Sequence, residues 1–245
     1  MVAKTPFLER VEKALADEHL RGAVRYTAEN LYMKRKAVMA DLNALAVKGE
    51  AIGTFEELRA RAQEIKLHTL AHLDGYLKQA AEQIRKNGGV VHWAKDAEEA
   101  NRIVLEICKK RGARKLIKSK SMVTEEIHMN HALEAEGLEI VESDLGEYII
   151  QLAKETPAHI VIPAIHKTRR QIADLFGAVA GHELETDTKT LAGFARATLR
   201  QKFMNADVGV TGANFVVAET GTICLVTNEG NGRLTTSVPP CQISL

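Results

Sequence analysis

Apolar positions recur at helical spacing through the first third of the chain: Phe7, Val11 and Leu15, then Ala23, Tyr26, Leu31 and Met33, with charges between them. A period near 3.6 residues places such positions on one side of a helix. Gly49 and Gly53 interrupt the pattern, and Thr54 followed by Glu57 has the form of a capping box that opens a further helix. Leu58, Ala62, Ile65, Thr69, Leu73 and Leu77 supply its apolar stripe, predicting one helix to about Lys86, closed by Asn87-Gly88-Gly89. Residues 1–87 thus read as a helical region almost free of strand signals.

Beyond Gly89 short apolar runs alternate with helical periods. The runs predict strands at 90–93, 115–118, 138–141, 148–152 and 159–163; the periods predict helices at 96–111, 123–136, 167–176 and 190–205. From Ala206 to Pro240 apolar segments at 208–210, 215–218 and 223–226 alternate with turns of Gly, Asn, Thr and Glu. Strands alternating with helices imply right-handed βαβ units and a largely parallel sheet between helical layers. A hairpin around Gly221 is expected to make that sheet mixed. The expected fold is α/β, a three-layer α/β/α Rossmann-like sandwich over residues 88–240, with 1–87 as an N-terminal helical extension and 241–245 as a tail.

Composition narrows the function classes. A net charge of +1 offers no global field for nucleic acid or anionic membrane, and 4% aromatic content argues against a stacking surface for single strands. No apolar run reaches transmembrane length and the N-terminus lacks the apolar core of a secretory signal, so no membrane span and a cytoplasmic location are expected. Cys108, Cys224 and Cys241 are odd in number and form no CxxC pair, which predicts neither a disulfide framework nor a metal or cluster site in this chain. Cys108 and Cys224 fall on apolar faces and read as core; Cys241 reads as a loose thiol in the tail.

In parallel sheets ligands sit where loops leave the carboxyl ends of strands. That selects the loops at 119–124 and 164–167 and the two glycine turns, 219–222 and 228–233. Lys118, Ser119, Lys120 and Ser121 follow a strand and open a helix, so hydroxyls, ammonium groups and helix amides could cradle an anion; a solvated turn capped by Thr124 is the competing reading. The segment lacks the glycines of a P-loop. Glu219 could present a carboxylate nucleophile or base, or be a solvated hairpin tip. Arg233 beside Asn231 and Gly232 could hold a carboxylate in bidentate fashion, or make a structural ion pair. His68 with His72, and His128 with His131, share helix faces but lack a third ligand, whereas His166 lies at a strand end, where a site residue and a satisfied buried histidine read equally well.

Four segments carry a more specific signal: KSKSMVTEEI at 118–127, ESDLGEYIIQL at 142–152, PAHIVIPAIHK at 157–167 and GANFVVAETGTICLVTNEGN at 212–231. Together with IKLHTLAHLDGYL at 65–77, they resemble the LUD-domain family from about Leu20 to Pro240, most closely the iron–sulfur subunit of an L-lactate utilisation system. The resemblance implies a sandwich of the NagB/RpiA/CoA-transferase type. It implies a part in oxidising L-lactate to pyruvate, as one subunit of a cytoplasmic three-component system partnered by its other subunits. A small carboxylate ligand would be held by Lys118, Ser119, Ser121, Thr220, Gly221, Thr222, Asn228, Glu229, Gly230, Asn231 and Arg233, with Glu219 as the catalytic candidate. Family members of this type continue into a ferredoxin-like module with two 4Fe–4S clusters, whereas this sequence reads Cys241-Gln242-Ile243-Ser244-Leu245 after Pro240. A truncated form without its own cofactor is therefore expected, with an exposed sheet edge that favours a homo-oligomer or partner capture. The alternatives are a CoA-transferase-like enzyme with Glu219 as acyl-accepting nucleophile, and a non-catalytic scaffold whose 1–87 helices dock partner subunits.

Overall fold

The computed structural model describes residues 6–42, 46–47, 50–227 and 229–245. The chain divides into two compact units, residues 1–76 and 77–245. The first contains α1 (Phe7–Ala16), α2 (Glu18–Leu42), a short antiparallel pair β1 (Ala46–Val47) and β2 (Glu50–Ala51), and α3 (Phe55–Ala71). The β1–β2 pair adds strands to a region expected to be almost free of them; strands of two residues carry no readable alternation. Thr54 and Glu57 form the expected capping box, Thr54 N donating to Glu57 Oε2 at 2.7 Å. The single helix expected to Lys86 is two, α3 and α4 (Leu73–Lys86), parted at His72. Thr69 Oγ1 donates back to the Ile65 carbonyl at 2.8 Å just before the break, a bond that competes with the helical ladder and bends it. No residue of α1 or α3 is buried.

The second unit is organised around one four-stranded sheet in the order β4-β3-β5-β8, with β3 (Lys115–Lys118), β4 (Glu139–Glu142), β5 (Val208–Thr211) and β8 (Cys241–Ser244). All three pairings are parallel, and Lys118 registers with Glu142 on one side and Val210 on the other. Alternate residues serve opposite faces. Leu116, Ile140, Val208 and Val210 pack with Val104 and Cys108 of α5 (Ala97–Arg111) and with Met129 and Leu133 of α7 (Met129–Glu134). Ile117 and Val141 pack with α8 (Leu145–Ala153), α9 (Arg169–Ala180) and α10 (Thr188–Met204), notably Tyr148, Phe176, Leu191 and Leu199. The architecture is mixed α/β, a parallel four-stranded sheet preceded by N-terminal helices. No helix among the described residues is long and apolar enough to cross a membrane.

Several expected strands are corrected. Residues 148–152 are not a strand but the body of α8, opened by Asp144, whose carboxylate accepts from the amides of Gly146 and Glu147. A short run with a single polar residue, Gln151, has no period that separates a buried strand from a buried helix, and the cap decides it. Residues 159–163 form bends and a turn rather than a strand, and 90–93 pair with no strand among the described residues, leaving Val90 and Trp93 exposed. The helix expected at 123–136 is interrupted at His128, which adopts a left-handed φ of 51° between α6 (Met122–Glu126) and α7. The hairpin of β6 (Phe215–Val217) and β7 (Thr222–Cys224) forms its own two-stranded sheet, so the main sheet is parallel, not mixed. The tail at 241–245 is β8, and Cys241 is buried in the core rather than a loose thiol. Between them α11 (Asn231–Ser237) crosses so close to β5 that a Cβ on Gly209 would lie 2.0 Å from the Thr235 carbonyl oxygen.

Candidate functional site

β3 and β4 each end on a charged residue, and their parallel register sets Lys118 beside Glu142 on one face of the sheet. Lys118 has no exposed surface. Its ammonium reaches Glu142 Oε1 at 2.8 Å, Glu125 Oε1 at 2.7 Å and Thr124 Oγ1 at 3.0 Å, which uses all three of its donors. α6 supplies Thr124 and Glu125, and Ser121 caps that helix by accepting from Thr124 N. α7 supplies Asn130, whose Nδ2 donates to Glu142 Oε1 at 2.7 Å. Gln151 of α8 clamps the outer edge of β4, accepting from Glu142 N and donating to the Ile140 carbonyl. Glu142 Oε2, Asn130 Oδ1 and Ser119 Oγ are buried without a hydrogen-bond partner among the described residues.

A second layer of charge lies beyond this pair. Lys120 Nζ stands 3.6 Å from Asp144 Oδ2 and 3.9 Å from Glu147 Oε1, and it donates to the Val161 carbonyl at 3.1 Å. Leu145 N donates to Glu229 Oε2 at 3.4 Å, bringing the 229–231 turn to the start of α8. Ser143 Oγ donates to the Lys118 carbonyl and meets Thr235 Oγ1, which in turn donates to the Asn231 carbonyl. Two ammonium groups, Lys118 and Lys120, thus serve five carboxyls, Glu125, Glu142, Asp144, Glu147 and Glu229.

Burial and this shortage of positive charge raise the proton affinity of Glu142, Glu147 and Glu229. Burial alone would pull the Lys118 ammonium down, but Glu142 and Glu125 outweigh it and hold Lys118 above the ordinary lysine range. Burial pushes Glu142 up more than Lys118 and Asn130 bring it down. Burial, then the nearby charge of Glu142, raises Glu147 to about 7. Partial desolvation, then Asp144, also raises Glu229. A carboxyl that titrates near neutrality beside a fixed ion pair can accept or release a proton at working pH.

Of the residues singled out from sequence, the fold gathers Lys118, Ser119, Ser121, Glu229, Gly230 and Asn231 around the carboxyl ends of the strands. Asn228 lies outside the described residues. Arg233 is exposed on α11. The turn with Glu219, Thr220, Gly221 and Thr222 meets α4 instead: Asn87 Nδ2 donates to the Thr220 carbonyl, and a Cβ on Gly221, at φ +70°, would lie 2.7 Å from Ile84 N. Glu219 itself is exposed. His166 pairs with Glu155 at 2.7 Å, and His68 stacks near His72 while its Nε2 meets the Tyr76 hydroxyl at 2.9 Å. Glu142, Asp144 and Glu147 were not among the sequence candidates, whereas Lys120 stood beside Lys118 in the anion-cradle reading. A charge closing an apolar strand, as in EIVE at 139–142, and an Asp-x-x-Glu before an apolar helix were the available signals.

Among the described residues no group of three or more His, Cys, Asp or Glu is placed to hold a metal ion. The cysteines do not fit an iron–sulfur cluster either, which takes four protein ligands. Cys108 and Cys241 are buried in the core, the Cys108 thiol pushed up to about 11 by burial and the proximity of Cys241 and Asp207, and Cys224 lies in the β6–β7 hairpin.

The family model of the LUD domain matches residues 77–245, the whole second unit. Lactate utilization protein B of Bacillus thuringiensis is 46% identical over 244 residues, covering 100% of this chain and 50% of its own length. The proteins of the same name from Bacillus cereus and Bacillus anthracis match with the same identity and coverage. The chain therefore spans about half the length of the curated relatives it matches. No solved structure matches it significantly. With a parallel sheet whose strand ends gather the KSKS and ESDLGE segments, and with the match running through all of it, the chain belongs to the LUD-domain family.

Proposed function

We propose that this chain is the LUD-domain portion of a subunit that helps oxidise L-lactate to pyruvate in the cytoplasm, together with further subunits. Similarity to lactate utilization protein B along the whole chain supports the pathway. Helices packed on both faces of the parallel sheet support the finer fold, a three-layer Rossmann-like sandwich of the NagB/RpiA/CoA-transferase type. Exposed apolar residues on α1 and α3, among them Phe7, Leu15 and Ile65, support a partner-docking role for the helical region.

Conversion of a 2-hydroxy acid to a 2-oxo acid removes two electrons and two protons. The resemblance assigns the electrons to iron–sulfur clusters, for which this chain lacks the thiolates. What its residues offer is proton handling. Glu147 is the base that takes the hydroxyl proton, the hydrogen on the hydroxyl carbon leaves with the electron pair toward the oxidant of the further subunits, and the Lys118–Glu142 pair is the electrostatic backing of the base. Ser119, Ser121 and the Glu229–Asn231 turn are the polar surroundings of the substrate. The observation that carries this reading is the placement of the Glu147 carboxyl, buried 3.9 Å from Lys120 Nζ where strand ends converge, a burial that raises it to about 7. In the reconstituted lactate-oxidising system, the rate with wild-type chain should rise with pH through about 7. Glu147→Gln should lose most of the rate and that acid limb with it; an unchanged rate and pH profile in the variant would dismiss the assignment.

A further inference from the structure

We infer that Lys120 is the ligand-contacting cation of this site, and that a small carboxylate takes the place of the Val161 carbonyl on its ammonium. The inference deepens the lactate reading and rests on it for the ligand class, a 2-hydroxy or 2-oxo acid. The choice among the cations is made by donor accounting. Lys118 is fully buried with its three donors committed to Glu142, Glu125 and Thr124, so it has none to give. Lys120, two residues on, keeps 25% of its side chain exposed. Asp144 and Glu147, at 3.6 and 3.9 Å, attract it from beyond hydrogen-bond length, so its one close contact with them or the loop is the Val161 carbonyl at 3.1 Å.

That carbonyl comes from a loop built to yield it. Residues 155–167 fold on themselves through Ala158 N to Pro163 O, Ile165 N to Ile162 O and Lys167 N to Ala164 O. Glu155 closes the base of the loop by pairing with His166 and Lys167, and Pro163 presses so close to Gly146 that a Cβ there would lie 2.9 Å from its Cδ. The base therefore stays with α8. The tip does not share that packing: Ile160 and Val161 are 62% and 67% exposed. A neutral carbonyl oxygen on an ammonium stands in for an anionic ligand oxygen, and a carboxylate makes the stronger, charge-assisted bond. Val161 N and Ile162 N both donate to His159 Nδ1 at 3.1 Å, so exchange moves residues 159–162 as one unit or breaks these two bonds. Exchange leaves the bound carboxylate beside Glu147, where the adjoining hydroxyl carbon meets the proposed base.

The test uses the full chain with L-lactate and pyruvate as probes, by calorimetry and by amide hydrogen exchange. Wild type should bind at least one of the two acids, and binding should raise exchange at residues 160–162. Lys120→Gln should weaken binding about tenfold or more, and Lys120→Arg should stay within about threefold of wild type, since both keep the fold but only one keeps the cation. Without ligand, Lys120→Gln should already show raised exchange at the tip and none in the sheet. In the reconstituted system it should also move the acid limb upward, because Lys120 is the cation that lowers Glu147 against Glu142, Glu125 and Asp144. Undiminished binding in Lys120→Gln, or a tip whose exchange ignores both ligand and substitution, overturns this inference alone. Wild type that binds neither acid brings down the lactate reading and this inference together.

Discussion

At the residue scale, Lys118 shows how a costly feature is held. An ammonium with no exposed surface is tolerable only because two carboxylates and a hydroxyl complete its shell. Lys118→Met should therefore destabilise the chain by about 3–5 kcal/mol in urea unfolding, because it strands Glu142. The double variant Lys118→Met with Glu142→Gln should recover much of that loss; strict additivity would show the pair to be uncoupled. Asp207 works in the opposite, stabilising sense. Its Oδ2 accepts from the amides of Arg114 and Lys115 at 2.8 and 2.9 Å, and these bonds hold it below the ordinary range. Its contribution is present above the unfolded value, about 4, and is lost as pH falls through the lower folded value. Asp207→Asn should cost about 1 kcal/mol at neutral pH and flatten that part of the acid-unfolding curve. Glu147 has the reverse sign: raised to about 7, it makes the native state the better proton binder, so stability falls as pH rises from the ordinary glutamate range to about 7. Glu147→Gln should remove that slope from stability measured across the same window.

At the scale of elements, Gly209 is where two of them nearly touch. A methyl group there would meet the Thr235 carbonyl oxygen at 2.0 Å, so α11 must lift from β5. Gly209→Ala should cost about 1–3 kcal/mol and loosen amide protection in α11 before the rest of the sheet. The helices with caps were the legible elements: Thr54 with Glu57, and the patterns around α5 and α10, read correctly because cap and period agree. The run at 148–152 misled because four of its five residues are apolar, and only Asp144, one side chain bonded to two amides, starts the helix. The short run at 241–244 resembles a tail, yet β5 is buried along its whole length and needs a neighbour on that side. Deleting residues 241–245 should accordingly lower the unfolding midpoint and raise aggregation, which light scattering would report.

At the scale of the whole molecule, the second unit carries two apolar clusters, the charged strand ends and the complete family match, while α1 and α3 of the first unit bury nothing. The segment from Leu73 to Leu245, which keeps α4 intact, should therefore melt cooperatively when expressed alone. Local chemistry along the chain was enough to announce an α/β protein, its helical lead-in and the family, because caps, periods and contiguous motifs are written within a few residues of each other. The partners of Lys118, the poise of Glu147, the seating of the Glu219 turn on α4 and the strand at 241–244 depend on residues far apart in sequence. Register between parallel strands, burial and the sum of neighbouring charges set those, and none of the three exists until the chain has closed on itself.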